Sequence, residues 1–259
     1  MRIASLPKGK LWFDYANYKQ QPRFLNLSDE EKAIIEQFKR EGCYLYKNAI
    51  SDEVVDTIDD AIDDWMVDNI SSLVANKRPD GTYPRLIGLH EEVPAIEALF
   101  STEVTLKLQN LLFGRGDSLF TTITFIQGSQ QPLHRDIPVF NVSPDNFYFR
   151  IWFALEDATP ENGTLTGVKG GHKVAVERHK MAHKFYSRFE DIPEQDPVLW
   201  HKHQDTLKQQ YEEAGLVEET FELSKGDLLI WHPLFSHGGS EIENKRLSRR
   251  SVVLHVTLK

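Results

Sequence analysis

The sequence predicts a mainly β fold carrying a layer of α-helices, its strands closing a barrel or sandwich around a ligand pocket. Three observations predict it. The hydrophobic period is 3.6 over much of the first hundred residues and becomes 2 from Ser118 onward, and β-branched and aromatic residues take over at that change. The segment from Asn146 to Glu156 then puts Phe147, Phe149, Ile151, Phe153 and Leu155 on one face and Tyr148, Arg150 and Trp152 on the other. Such a strand needs an apolar layer on one side and polar contacts on the other, which outer helices and an inner pocket together provide.

The helical part, residues 1–117, begins with a capping box: Ser28 is followed three residues later by Glu31. The helix it opens gathers Ile34, Ile35 and Phe38 on one face and stops at Gly42. Cys43 alternates with aromatics in Cys43-Tyr44-Leu45-Tyr46 and reads as a buried strand position. Ser51 caps a longer helix in which Val54, Val55, Ile58, Ile62, Trp65 and Met66 recur at helical spacing. Its acids Asp56, Asp59, Asp60, Asp63 and Asp64 read as a solvated face. Lys77-Arg78-Pro79-Asp80-Gly81 signals a turn, and short helical patterns follow at 96–100 and 104–112. Strands are expected at 120–126, 146–156, 164–168, 218–223, 227–231 and 251–257. Between them the charged stretch 174–216 reads as a helical insertion, broken at Pro193 and Pro197, of the kind that walls or covers an active site. One domain, 1–259, is the simplest division, because no repeat or flexible linker interrupts the chain.

Composition narrows the possible partners. A chain of 259 residues with 40% hydrophobic and 27% charged residues is folded rather than disordered. Its net charge of −9 argues against a broad basic surface for nucleic acid or anionic lipid and makes a small-molecule substrate the default partner. No segment approaches the roughly 20 apolar residues of a membrane span, and the N-terminus carries no apolar run of signal-peptide length. With a single cysteine no intrachain disulfide can form, so a cytoplasmic location is expected; no sequence feature specifies an oligomer.

The chemistry concentrates in His134-Arg135-Asp136 and a distant His237. Residues i and i+2 of a strand point the same way, so His134 and Asp136 can reach one ion while Arg135 points aside. A third ligand from a neighbouring strand completes the two-histidine, one-carboxylate triad of non-haem Fe(II) oxygenases, which leaves half the coordination sphere open. By itself His-x-Asp is a weak signal. Its context is stronger: a turn at Gly226, a strand through Trp231, His237 with two glycines after it, and then the pair Arg249-Arg250. A guanidinium grips a carboxylate with two parallel hydrogen bonds, so an arginine beside such an iron suits 2-oxoglutarate.

These segments resemble the phytanoyl-CoA dioxygenase family. The matching pieces are Pro132-Leu133-His134-Arg135-Asp136, the run from Trp152 through Asn162-Gly163 to Leu165, Gly170-Gly171-His172-Lys173, and the block from His237 to Arg249, so the resemblance runs from Ser118 to the C-terminus. It implies a double-stranded β-helix (a cupin-like jelly roll) with an N-terminal helical layer and a helical insertion. It implies Fe(II) held by His134, Asp136 and His237; 2-oxoglutarate held by Arg249, with Arg250 as the competing choice; Trp152 lining the co-substrate pocket; and Thr122 placed as a small hydroxyl near it. The implied reaction uses O2 to convert 2-oxoglutarate to succinate and CO2 and hydroxylates an unactivated C–H bond of a small metabolite. Asp136 speaks against the halogenating branch, where a small residue replaces the carboxylate. Two departures from the family are Arg135, where a glutamine is frequent, and Lys169-Gly170-Gly171-His172, where Pro-Gly-Ser-His is frequent.

Three further residues are candidates for substrate contact: Arg150, which shares the inner face with Trp152 and must pair with a carboxylate or an anionic ligand, Arg135, and His172 beside its two glycines. His179 and His183 stand one helical turn apart without a third partner. His201 and His203 read as surface residues, and His232 and His255 as hydrogen-bonded core histidines. Two other functions fit the same fold: a ligand-binding jelly roll without catalysis, which would release no succinate from 2-oxoglutarate, and a metal-dependent isomerase or hydrolase, which has no need of Arg249.

Overall fold

A computed structural model describes residues 10–113, 117–136, 147–174 and 197–258. The first helices follow the sequence signals closely. Helix α1 (Pro22–Leu25) leads into α2 (Asp29–Glu41), where the Ser28 hydroxyl accepts from the Glu31 amide at 3.2 Å and Glu31 accepts from the Ser28 amide at 2.8 Å. Gly42 ends α2 in the left-handed conformation (φ 82°), its amide donating back to Phe38. Ile34, Ile35 and Phe38 are buried. Helix α3 (Asp52–Ala75) is capped by Ser51 and buries Val55, Ile58, Ile62 and Leu73. Its apolar stripe is narrower than expected, since Val54 is exposed and Trp65 and Met66 are only partly covered.

The acidic side of α3 is more than a solvated face. Asp56 pairs with Lys225 at 2.5 Å, and Asp63 and Asp59 pair with Arg250 at 2.5 and 3.6 Å, tying the helical layer to the C-terminal half. Two short helices, α4 (Pro94–Ala98) and α5 (Glu103–Leu112), complete the layer. Of the insertion, the described part is α6 (Pro197–Glu213), with Pro197 at its start, where a missing N–H costs nothing. His179, His183 and Pro193 lie outside the described residues.

The strands form two antiparallel sheets. The larger has the order β1-β7-β4-β9-β3-β2, with β1 (Cys43–Tyr46), β2 (Leu86–Ile87), β3 (Asp117–Phe125), β4 (Tyr148–Ala154), β7 (Leu228–Trp231) and β9 (Ser251–Leu258). The smaller has the order β6-β5-β8, with β5 (Leu165–Gly167), β6 (Glu219–Phe221) and β8 (His237–Gly239). This is the expected jelly roll. Strands β1, β2 and β8 are too short to leave a periodic signature; only the first was anticipated, from Cys43.

The two faces of the large sheet divide the molecule. On one, Phe149, Ile151, Phe153, Leu228, Ile230, Val252, Leu254 and Val256 pack against the buried residues of α2 and α3. On the other, Trp152, Leu229, Trp231, Val253 and Phe125 turn toward Leu165, Phe221 and Phe235 of the small sheet. Full burial of such side chains contributes roughly 1.5–3 kcal/mol each, so the helix-facing side supplies most of the scaffold's stability. Among the described residues no helix is long and apolar enough to cross a membrane.

Cys43 provides a check on this packing. It is 2% exposed, and burial pushes its thiol up to about 12. At pH 8 its thiolate fraction is then on the order of 10³-fold below that of an exposed cysteine. Alkylation followed by mass spectrometry is expected to be at least ~100-fold slower in the folded than in the denatured protein. Labelling at comparable rates would show that β1 does not pack as described.

Candidate active site

The three predicted ligands converge between the sheets. His237 opens β8, and His134 lies beside it in an isolated bridge: the amide of each donates to the carbonyl of the other at 2.9 Å. Two residues on, Asp136 brings its Oδ1 to 3.7 Å from His134 Nε2 and 3.8 Å from His237 Nε2. The ligand atoms of the three residues all lie within 4.8 Å of one another, and all three residues are buried. Two donors each about 2.1 Å from one ion stand roughly 3–4 Å apart, so the constellation fits a single metal.

The histidine tautomers favour the same role. Nδ1 of His134 is 2.8 Å from the Pro132 carbonyl and Nδ1 of His237 is 3.2 Å from the Phe235 carbonyl. A carbonyl only accepts, so both protons sit on Nδ1 and both Nε2 lone pairs face the site, as metal-bound histidines require. Burial, with the Arg150 cation close by, holds both rings down at about 3, so they are neutral at physiological pH.

Asp136 has a second partner. Arg150 NH2 lies 2.7 Å from Asp136 Oδ1, its NH1 3.2 Å from His237 Nε2, and its Nε donates to the Tyr148 hydroxyl at 2.8 Å. Burial works to lower the Arg150 pKa, but Asp136 and the Tyr148 hydroxyl together outweigh it and keep the guanidinium charged. The sequence left Arg150 between a protein carboxylate and an anionic ligand as its partner, and the structure gives it a carboxylate that is itself a predicted ligand. A metal at Nε2 of His237 would take over the contact made by NH1 and leave NH2 on Asp136.

These groups open into a cavity of about 650 Å³, which Trp152, Arg249 and Trp231 also line. Arg249 is 1% exposed, its guanidinium 5.3 and 5.4 Å from the rings of Phe125 and Trp152, and NH1 donates to Ser251. Its Nε, like the indole nitrogens of Trp152 and Trp231, is buried without a hydrogen-bond partner, and it forms no ion pair among the described residues. Burial pushes Arg249 down to about 10, still cationic at neutral pH. A buried cation without a counterion is costly, and a carboxylate in the cavity would relieve it. Arg250, one residue on, points the other way into its ion pairs with α3, as period-2 alternation requires.

Three expected site residues lie elsewhere. Thr122 is on the helix-facing side of β3, opposite Leu254, with its hydroxyl 3.0 Å from His90 Nδ1; the alternation that turns Ile123 and Phe125 toward the cavity turns Thr122 away. Arg135 is buried outside the cavity, donating to the carbonyls of Gly171 and Val174, while its amide donates to Gln204 of α6 at 2.9 Å. These bonds brace the segment that carries His134 and Asp136. His172 is wedged under Gly42, with Nε2 3.1 Å from the Lys39 carbonyl and its ring 5.1 Å from that of His232. His203, expected at the surface, is 4% exposed.

The sequence reading missed Gln131, Trp200, Trp231, Arg78 and Arg85, which all line the cavity. Gln131 is within three residues of His134, and its Nε2 lies 3.1 Å from that ring's Nε2. For the others no local signal existed, since Arg78 reads only as part of a turn and Trp200 as one helical residue.

Comparison with known proteins agrees with this geometry. The family model described as phytanoyl-CoA dioxygenase matches residues 38–251. The human peroxisomal phytanoyl-CoA dioxygenase is 28% identical over 127 residues, covering 49% of this chain and 33% of that protein. A probable phytanoyl-CoA dioxygenase of Caenorhabditis elegans is 28% identical over 116 residues, covering 42% and 31%. The aligned stretches thus span about a third of these relatives' length. Among solved structures, iron-bound EctD from S. alaskensis superposes with a TM-score of 0.66 at 15% identity, covering 90% of this chain and 77% of that one. The α-ketoglutarate-dependent epimerase SnoN of nogalamycin biosynthesis gives 0.62 at 15%, covering 88% and 83%.

Proposed function

The chain belongs to the phytanoyl-CoA dioxygenase family, and from that premise we propose that it is an Fe(II)- and 2-oxoglutarate-dependent dioxygenase that hydroxylates an unactivated C–H bond of a small organic molecule. The observation that carries this reading is Arg249: a fully buried guanidinium with no ion-pair partner among the described residues, lining the same cavity as the three candidate ligands. An isomerase or hydrolase working on zinc has no need of such a group, and a binding module would use it without producing succinate from 2-oxoglutarate.

In this reading His134, Asp136 and His237 would hold the iron through two neutral nitrogens and one carboxylate, a donor set that suits an oxygen-activating Fe(II). Iron bound there supplies redox chemistry, in which O2 oxidises 2-oxoglutarate to succinate and CO2 and its second oxygen atom enters the C–H bond. The protein's share is positioning and exclusion of water. Arg249 takes the distal carboxylate of 2-oxoglutarate by charge-assisted hydrogen bonds, with Trp152 and Phe125 beneath its plane. Arg150 fixes the orientation of Asp136 and balances its charge. Trp200 and Trp231 add apolar surface to the cavity wall.

Anaerobic addition of Fe(II) and 2-oxoglutarate is expected to produce a visible charge-transfer absorption from the chelated keto acid, and His134→Ala should lack it. A wild-type protein that binds both yet shows no such band would not be chelating 2-oxoglutarate at the triad, and the proposal would fall.

A further inference from the structure

The cavity is strongly cationic in a protein whose net charge is −9. Among the described residues four guanidinium groups line it, those of Arg78, Arg85, Arg150 and Arg249, against the single carboxylate of Asp136. The proposed reaction accounts for part of this. Arg150 is matched by Asp136, and Arg249 is assigned to 2-oxoglutarate. Arg78 is spent on structure: its Nε donates to Thr82, its NH1 to the Ser129 carbonyl at 2.8 Å and its NH2 to the Gly128 carbonyl at 3.0 Å, which anchors the loop that leads to His134. A divalent metal with a dianionic co-substrate adds no net charge, so the lining would remain cationic with both bound.

Arg85 is left over. It stands at the mouth of the cavity, just before the edge strand β2, and is more exposed than the other three. Among the described residues its one hydrogen bond runs from NH1 to the amide oxygen of Gln131 at 3.2 Å, and no carboxylate comes within ion-pair distance of it. Burial by its neighbours lowers its pKa, and repulsion from Arg78 and Arg150 lowers it further. Other arginines of this acidic chain do have acids, Arg40 with Glu41 and Arg250 with Asp63. A cation set among other cations and given only a neutral amide is an anion-binding position. Gln131 joins it to the chemistry, for the same side chain whose Oε1 accepts from Arg85 brings its Nε2 to 3.1 Å from Nε2 of His134. Ile87, two residues along the chain from Arg85, lines the cavity beside it, as do Pro84 and Trp200.

We propose that Arg85 holds an anionic group, a carboxylate or phosphate, of the molecule that is oxidised, making the substrate an organic anion whose apolar part lies between Ile87 and Trp200 and whose reacting carbon passes Gln131 to reach the metal. This rests on the oxygenase reading. The cavity volume of about 650 Å³ lies inside the roughly 300–1,000 Å³ that small-molecule sites occupy, enough for a co-substrate and a second molecule together.

The test uses the Fe(II)-loaded protein with 2-oxoglutarate under anaerobic conditions and two matched probe pairs, phenylacetate against phenylacetamide and phenyl phosphate against phenol, titrated by calorimetry. At least one anion is expected to bind ten-fold or more tightly than its neutral partner, and the pair that shows this identifies carboxylate or phosphate as the group recognised. Arg85→Gln should bring the preference to within twofold of parity, and Arg85→Lys should retain part of it. The affinity for 2-oxoglutarate, read from the charge-transfer band, should change less than twofold in both variants. The proposal is overturned if neither anion binds better than its neutral partner, including the case where neither binds, or if Arg85→Gln weakens 2-oxoglutarate as much as the anion, which would assign the residue to the co-substrate. Absence of the charge-transfer band in the wild type counts against the oxygenase reading alone, because the calorimetric preference is measured independently of it.

Discussion

Asp136→Ala is expected to weaken metal binding by at least ~100-fold and to reduce succinate formation from 2-oxoglutarate to background. Two effects act together and can be separated. The first is loss of the one anionic ligand, leaving two neutral imidazoles to hold a divalent ion; even residues that merely orient ligands cost 10–100-fold when removed, so the ligand itself sets a larger loss. The second is structural. Arg150 lies 2.7 Å from Asp136, and its side chain is only 11% exposed. Removing the carboxylate breaks a buried ion pair from one side, which costs about 3–5 kcal/mol. Asp136→Ala is therefore expected to melt well below the wild type, and adding Arg150→Met should recover most of the lost stability by removing the stranded charge. Metal affinity, followed by titration with Co(II), should stay low in both variants. If the single variant binds metal within tenfold of the wild type, Asp136 is not a ligand and the proposed centre is wrong.

The second large effect belongs to Arg249. Arg249→Gln should raise the Kd for 2-oxoglutarate by ~100-fold, within the 2–5 kcal/mol range for truncating one member of a buried charge pair, while leaving Co(II) affinity within twofold. The same substitution should make the protein without 2-oxoglutarate more stable, by about 1–3 kcal/mol, because it removes an uncompensated buried cation. The two signs together are diagnostic: a purely structural arginine would lower stability when replaced, whereas a ligand-holding arginine destabilises the protein until its ligand arrives. Arg250→Gln is the contrast. It faces α3 and should lose roughly 1 kcal/mol of stability at most, with 2-oxoglutarate affinity unchanged. A rise in Kd for Arg250→Gln but not for Arg249→Gln would reverse the assignment.

The sequence carried the periodic elements and the candidate pair His134 and Asp136 for one reason: both depend on local geometry. The capping box at Ser28, the stripe Ile34, Ile35 and Phe38, and the alternation of β4 are local patterns that the folded chain reproduces. His134 and Asp136 were legible as a same-side pair, and the choice of Arg249 over Arg250 is a matter of which face each residue takes. What stayed hidden was set by the other parts of the chain. Thr122 was placed in the right strand but on the wrong face, because strand periodicity does not say which side is inward. Arg135 and His172 are held by carbonyls 36 and 133 residues away in sequence. Arg85 and Trp200 meet across the cavity from opposite halves of the chain, and no window of sequence contains both.

The large sheet, with one side given to the helices and the other to the cavity, has a consequence for how such a protein diversifies. Consecutive positions of β4 turn to different sides: Phe149, Ile151 and Phe153 to the helices, and Arg150 and Trp152 to the cavity. A new specificity can therefore arise by exchanging alternate side chains, or those of the segment carrying Arg85, without disturbing the neighbours that keep the scaffold intact.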